Sequence, residues 1–220
     1  AWGVRVLPAF ASGVEPREAI CDYFQRDCVT TFVAMVSLTG FSLVGGPAYN
    51  DSKAAQTMLA KLDVPYIAAM PVEFQPLEEW GPSPRGLLPV EATIMVAIPE
   101  LDGGTGPIVF GGRGGGSETG CTGCERKCTF EGAAGSRNVH SCGERADLLA
   151  QRVMKLVMLR KSERASRKVA ITIFNFPPNA GNVGTAAYLS VFESIFHLLG
   201  EMKAGGYQVE MPGSVDDLRN

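Results

Sequence analysis

The sequence predicts an α/β fold: doubly wound parallel sheets, built of Rossmann-like or flavodoxin-like units, with a Gly/Cys-rich loop insert. Three observations predict it. Short apolar runs alternate with amphipathic stretches at helical spacing along most of the chain. Clusters of Gly, Pro and Asn mark the changes between them. Strand–helix–strand series of this kind pair in parallel through right-handed crossovers, which places helices on the faces of the sheet.

The elements follow in order. VRVLPAF (4–10) reads as a buried strand. EPREAICDYFQRD (15–27) follows as a helix, with Pro16 suited to its first turn and Ile20, Tyr23 and Phe24 on one face. TFVAMVSL (31–38) is the next strand, bounded by Gly40. A Gly-rich turn then leads to Asn50 or Asp51, either of which can cap a helix. Ala55, Met58, Leu59 and Leu62 form the apolar stripe of that helix. VPYIAAMP (64–71) is a third strand, followed by a Pro-rich connection with a short helix near 77–80. Residues 90–98 are apolar with Glu91 near the start, and they suit a helix or a strand. IVFGGR (108–113) is strand-like.

The loop occupies 114–143, and a long helix is expected over 144–167 with Ala146, Leu149, Val153 and Leu156 at helical spacing. VAITIFNF (169–176) reads as a strand and PPNAGNVG as a tight loop. A helix is expected over 185–204, striped by Ala187, Val191, Ile195, Leu198 and Met202 and stopped at Gly205-Gly206. YQVEM (207–211) is a last strand. The expected organisation is therefore a first α/β unit at 1–113, the loop at 114–143, and the start of a second unit at 144–220. Both ends read as cuts through a longer polypeptide.

The bulk numbers set bounds. The 220 residues, 45% of them hydrophobic, suffice for one or two cores. A net charge of -3 argues against nucleic acid as the main partner, which usually leaves a basic footprint. No apolar run approaches the ~20 residues of a transmembrane helix. The six cysteines do not form the framework of a small secreted domain, which favours the cytoplasm. No GxxxxGK[ST], intact GxGxxG, GxSxG or HExxH is present, so any ATP used is expected to be hydrolysed by a partner.

Three loops offer chemistry, on the expectation that ligands gather beyond the carboxyl ends of parallel strands. The first, TGFSLVGGPAYND, carries Gly45, Gly46, Tyr49 and Asn50. The third, NFPPNAGNVGT, gathers Asn175, Asn179, Asn182 and Thr185 ahead of a helix start suited to an anionic group. Taken alone, the first reads more simply as an ordinary strand–helix connection, while the third fits a loop of turn and cap residues as well as it fits a site. The middle one, PELDGG, sets Glu100 and Asp102 beside an apolar run, where surface carboxylates before a turn are common.

Cys121, Cys124, Cys128 and Cys142 lie within one Gly-rich stretch, near His140. Four soft ligands at such spacing suit a [4Fe-4S] cluster first, with tetrahedral Zn2+ or a metal-free loop as the alternatives. Ser141 and Glu144 match a capping box, beside which a Cys142 thiolate would be favoured. Cys21, Cys28 and His197 read as structural.

The segments GFSLVGGPAYND, LPVEATIMVAIPELDGG and FNFPPNAGNVGTAAYLSVFES together resemble the family that joins the large subunits of magnesium chelatase and cobaltochelatase. The similarity runs through nearly the whole chain, and the Cys-rich insert resembles the bacteriochlorophyll-pathway type. The resemblance implies a catalytic subunit that binds protoporphyrin IX and Mg2+ as substrates. It implies two AAA+ partners, the I and D subunits, which hydrolyse the ATP. It also implies a cytoplasmic protein peripheral to the photosynthetic membrane, Glu100 as the catalytic candidate with Asp102 second, and the first and third loops in the porphyrin-facing wall. The segment alone is expected to be inactive. Cobalt insertion into a corrin ring and a non-catalytic tetrapyrrole carrier are the alternatives.

Overall fold

A computed structural model describes residues 4–11, 16–26, 29–46, 49–131, 138–175, 183–186 and 188–219. It divides into two compact units, Ala1–Val157 and Met158–Asn220. Asn179, Asn182, Ala187 and Cys28 lie outside the described residues.

The first unit opens with helix α1 (Arg17–Phe24), which buries Ile20 and leaves Tyr23 exposed. A two-residue hairpin follows, β1 (Gln25–Arg26) antiparallel to β2 (Val29–Thr30). The main sheet contains β3 (Met35–Ser37), β4 (Tyr66–Val72), β5 (Ile108–Arg113) and β6 (Val139–Ser141), in that spatial order. The pairs β3·β4 and β4·β5 are parallel, and β6 closes the edge antiparallel to β5.

Helix α2 (Ser52–Leu62) joins β3 to β4, capped by the Asp51 carboxylate accepting from the Ala54 amide at 3.0 Å. Of the two expected caps it is Asp51, because Asn50 turns to Ser42 instead. The connection from β4 to β5 carries α3 (Leu77–Trp80), α4 (Pro89–Ala92), a π turn (Thr93–Ala97) and α5 (Ile98–Leu101). The apolar stretch at 90–98, suited by pattern to a helix or a strand, is thus helical, with a widened turn. Pro99 has no amide proton and its ring crowds the carbonyl four residues back. The Ile98 amide reaches Thr93 O instead, which is the π pattern.

Strand alternation distributes the core over two faces. Met70, Val72 and Val109 pack against Met95 of the π turn, with Trp80 and Leu87 alongside. Met35 packs with Leu43, Val44, Ala55 and Leu62, the α2 side. Ile67, Ala69 and Ile108 meet Leu149, Val153 and Leu156 of α6 (Gly143–Lys161) on the opposite face. Parallel strands laid down in one direction put successive crossovers on the same face. The long helix after β6 covers the other, and the result is a three-layer α/β arrangement. The division between the units falls inside α6, after Val157.

Three expected strands do not form. Residues 4–10 carry no ladder and expose Val6 by 82% and Phe10 by 88%. Residues 169–174 and 207–211 are extended but unladdered, apart from a bridge between Asn175 and Val183. An apolar run becomes a strand only when a neighbouring backbone accepts its hydrogen bonds, and none of the described residues offers these runs a ladder.

In the second unit the helix expected from 185 begins later. Thr185–Ala186 (β7) turns back on Leu189–Ser190 (β8), with Tyr188 in the left-handed region at φ 61°. Helix α7 (Val191–Ala204) follows and ends at Gly205, with Gly206 at φ +90°, as its Gly pair predicts. Its half-buried face is Val191, Ile195, Leu199 and Met202, while Leu198 and His197 are exposed. A short α8 (Val215–Arg219) completes the unit, with the Arg219 guanidinium 5.3 Å from the centre of the Phe192 ring.

Candidate functional site

The loop after β3 does not project away from the sheet. Ser42, Leu43 and Val44 fold inward and are 1%, 2% and 2% exposed. Gly45 permits this reversal. It sits at φ +87°, and a Cβ there would collide with the Tyr49 carbonyl.

Asp102 meets this loop from the other side of the site. Its side chain is buried, 1% exposed, and Oδ2 accepts from the Ser42 hydroxyl at 2.7 Å and the Leu43 amide at 2.8 Å. Ser42 Oγ also lies 3.1 Å from the Asn50 side-chain oxygen and 3.0 Å from the Val44 carbonyl. One residue away, the Leu101 carbonyl accepts from Gln56 Nε2 of α2 at 2.7 Å. The Gly103 amide donates to Glu100 O at 3.0 Å, and the Asp102 and Gly104 amides donate to Pro99 O. The PELDGG turn is therefore pinned through consecutive residues. Glu100 itself is exposed, flanked in sequence by exposed Leu101, while Tyr49 beside Asn50 is 70% exposed.

Gly104 lies against Tyr66 and Ala68 at the beginning of β4. The PELDGG turn is thus at the entry to β5, the amino-terminal end of the parallel sheet, contrary to the expectation that all three loops follow strands. The reason is topological: the crossover runs antiparallel to the strands and delivers its last residues to that end. Burial pushes the Tyr66 phenol up to about 12; a hydrogen bond with Ser37 opposes the rise and the Asp102 charge adds to it.

The carboxyl ends of β4 and β5 carry a different group of residues, which sequence reasoning missed. Glu91 is fully buried and binds Gln75 Nε2 at 2.6 Å, the Leu88 amide at 2.8 Å and the Phe74 amide at 3.2 Å. A Pro at the first helical position with Glu two residues later was the available signal. Glu78 accepts from the Gly115 amide at 2.8 Å, and Arg113 lies 3.6 Å from Glu73.

The cysteine loop packs on α3 at this end. Cys121 is buried, with its thiol 3.6 Å from Leu77 O and its amide bonded to Cys128 O at 2.8 Å. A small cavity of about 20 Å³ is lined by Cys121, Cys124, Cys142, Trp80, Glu144 and Arg145. Burial pushes the Cys121 thiol up, and the neighbouring Cys124, Cys142 and Glu78 add to the rise. The Ser141 cap does not form, because Ser141 is in β6; the Cys142 carbonyl instead accepts the first helical bond, from Ala146, at 2.8 Å. Among the described residues, no three His, Cys, Asp or Glu side chains converge as metal ligands. The thiols are gathered, then, but not closed into the cage that a [4Fe-4S] cluster or Zn2+ requires.

The third loop belongs to the second unit. Asn175 is exposed and bridged to Val183, and Thr185 lies in β7 rather than at a helix start. Among the described residues, no helix is long and apolar enough to cross a membrane.

A crossover-bound carboxylate beside a folded-in Gly-rich loop, on a mostly parallel sheet, marks the first unit as an α/β protein. The whole chain, residues 1–220, matches the CobN/Magnesium Chelatase family, and it belongs to that family. It is 55% identical over 219 residues to the magnesium-chelatase H subunit of Cereibacter sphaeroides, covering 99% of this chain and 18% of that protein. It is 43% identical over 222 residues to the chloroplastic magnesium-chelatase ChlH subunit of Oryza sativa subsp. indica, covering 99% and 15%. With the aerobic cobaltochelatase CobN subunit of Pseudomonas aeruginosa it shares 26% over 227 residues, covering 99% and 16%. The chain thus spans less than a fifth of the length of these relatives.

Proposed function

We propose that the polypeptide carrying this chain is the porphyrin-binding catalytic subunit of magnesium chelatase, inserting Mg2+ into protoporphyrin IX for bacteriochlorophyll or chlorophyll synthesis. The observation that carries the reading is the 55% identity with a magnesium-chelatase H subunit along the chain, against 26% with a cobaltochelatase subunit. In this reading ATP is hydrolysed by two AAA+ partners, the I and D subunits, and the protein works in the cytoplasm beside the photosynthetic membrane.

Insertion removes two pyrrole protons and requires Mg2+ to shed tightly held water. Glu100 is the group suited to that work, an exposed carboxylate on a pinned turn, able to accept a proton or to ligate the arriving ion. Exposed Tyr49 and Leu101 supply apolar surface for a flat macrocycle. Gly45, Gly46 and Asn50, and in the second unit Asn175, Asn179, Asn182 and Thr185, complete the assigned porphyrin-facing loops. The cysteine loop has a structural or regulatory part. Cys121, Cys124, Cys128 and Cys142 are assigned to a [4Fe-4S] cluster or Zn2+ on their spacing, and three of them, Cys121, Cys124 and Cys142, line one small cavity.

The test is Mg2+ insertion by the full-length subunit with both partners and MgATP, comparing wild type with Glu100→Gln. The substitution is expected to cut turnover at least about 10²-fold while porphyrin affinity stays within a few-fold. Near-normal turnover overturns the Glu100 assignment. Metallation with cobalt and not magnesium by wild type would move the reading to cobaltochelatase, and porphyrin binding without metallation to a carrier.

A further inference from the structure

We infer that Asp102 is a positioning residue for Glu100: its buried carboxylate clamps the inner loop at Ser42 and Leu43 to the turn that presents Glu100. This rests on the reading of Glu100 given above and reassigns Asp102 within it.

Solvent access separates the two carboxylates. Glu100 is exposed, whereas Asp102 is 1% exposed, with Oδ2 already accepting the Ser42 hydroxyl and the Leu43 amide. A carboxylate so enclosed does not reach a macrocycle the size of a porphyrin without unfolding the loop around it. Burying such a group is unfavourable unless strong donors meet it; here Oδ2 is met by donors from a segment about sixty residues away in sequence, while buried Oδ1 has no partner among the described residues. The bonds therefore do long-range work, fastening the β3–α2 loop to the end of the helical crossover.

The fastening is also two-sided. Gln56 of α2 holds the Leu101 carbonyl at 2.7 Å, so adjacent residues 101 and 102 are tied to α2 and to the inner loop. The Glu100 carbonyl is taken by Gly103 within the turn. Little freedom is left in the backbone from which the Glu100 side chain projects. The Asn50 side-chain oxygen lies 3.1 Å from the same Ser42 hydroxyl, next to exposed Tyr49. One contact thus sets the relative position of the carboxylate and the loop assigned to the porphyrin. Placement errors of about 1 Å cost on the order of 10²-fold in rate, so a clamp of this kind has a kinetic consequence.

The experiment is a double-mutant cycle in the full-length subunit with both partners, using Glu100→Gln, Asp102→Asn and the pair, read by Mg2+ insertion and by porphyrin fluorescence quenching. Asp102→Asn is expected to lower kcat about tenfold or more, with KM for porphyrin within about threefold. The pair is expected to be no slower than Glu100→Gln alone, because a residue that acts through Glu100 has nothing left to position. Additive losses would overturn the clamp and leave the Glu100 reading standing. A normal Asp102→Asn enzyme would do the same. A silent Glu100→Gln would overturn both. Ser42→Ala, which keeps the carboxylate and removes one donor, guards against simple misfolding: with porphyrin quenching retained, it should lower kcat in the same direction, and an unchanged kcat counts against the clamp.

Discussion

Glu91 and Leu88 form a closed pair at the start of the crossover, the fully buried carboxylate of one accepting the amide of the other at 2.8 Å. The same carboxylate takes the Phe74 amide and the Gln75 side chain, so it fixes the segment leaving β4 as well as the helix that follows.

Glu91→Ala would remove the shared acceptor of three part-buried donors, the Phe74 and Leu88 amides and Gln75 Nε2. Each unmet donor costs about 1–3 kcal/mol, so the expected loss is about 3 kcal/mol or more. Hydrogen exchange at the Phe74 and Leu88 amides checks it, and both should lose protection. Glu91→Gln keeps an acceptor and should lose less. Equal protection in all three proteins would mean that the bonds contribute nothing.

Tyr66 gives a pH dependence. A phenol held near 12 in the folded protein, against an ordinary value of 10.0, keeps its proton longer folded than unfolded. Its contribution is complete below pH 10 and is lost as pH rises through 12. Stability should therefore fall across that window by about 2 kcal/mol more in wild type than in Tyr66→Phe. Paired unfolding curves at pH 9 and pH 12 would measure this, and parallel losses would remove Tyr66 as the source.

Cys121 should be slow to alkylate. It is buried and its thiol is pushed up, so little thiolate is present near neutral pH, while Cys21 is exposed. Mass-mapped iodoacetamide labelling of metal-free protein should modify Cys21 at least about tenfold faster than Cys121. Equal rates would show that the loop opens readily.

Much of the fold was legible where local pattern and final environment agree. The stripe of α2 and the apolar runs at β4 and β5 declare themselves because the sheet buries both of its faces. The runs at 4–10, 169–174 and 207–211 have equal apolar character, but a ladder needs a partner that composition cannot guarantee. The candidate site was half legible. PELDGG marked Glu100 and Asp102 as a pair, yet spacing could not say that one faces water and the other a serine from the preceding crossover. The burial of Glu91 and Ser42 was hidden for the same reason, since a polar residue betrays an inward position only through partners distant in sequence. The cysteines were legible as a group, but not in how three of them, Cys121, Cys124 and Cys142, share one cavity beside Trp80.

The π turn at Thr93–Ala97 amounts to one extra residue threaded into an otherwise α-helical crossover. Its consequence is one of phase. An extra residue in a regular α-helix would turn everything beyond it by about 100° and push it on by about 1.5 Å, and the widened turn absorbs that rotation locally. Glu100 and Asp102, which follow it, thereby keep their opposite bearings, one to solvent and one to Ser42, so the winding of this helix, as much as its side chains, decides which acid meets the solvent.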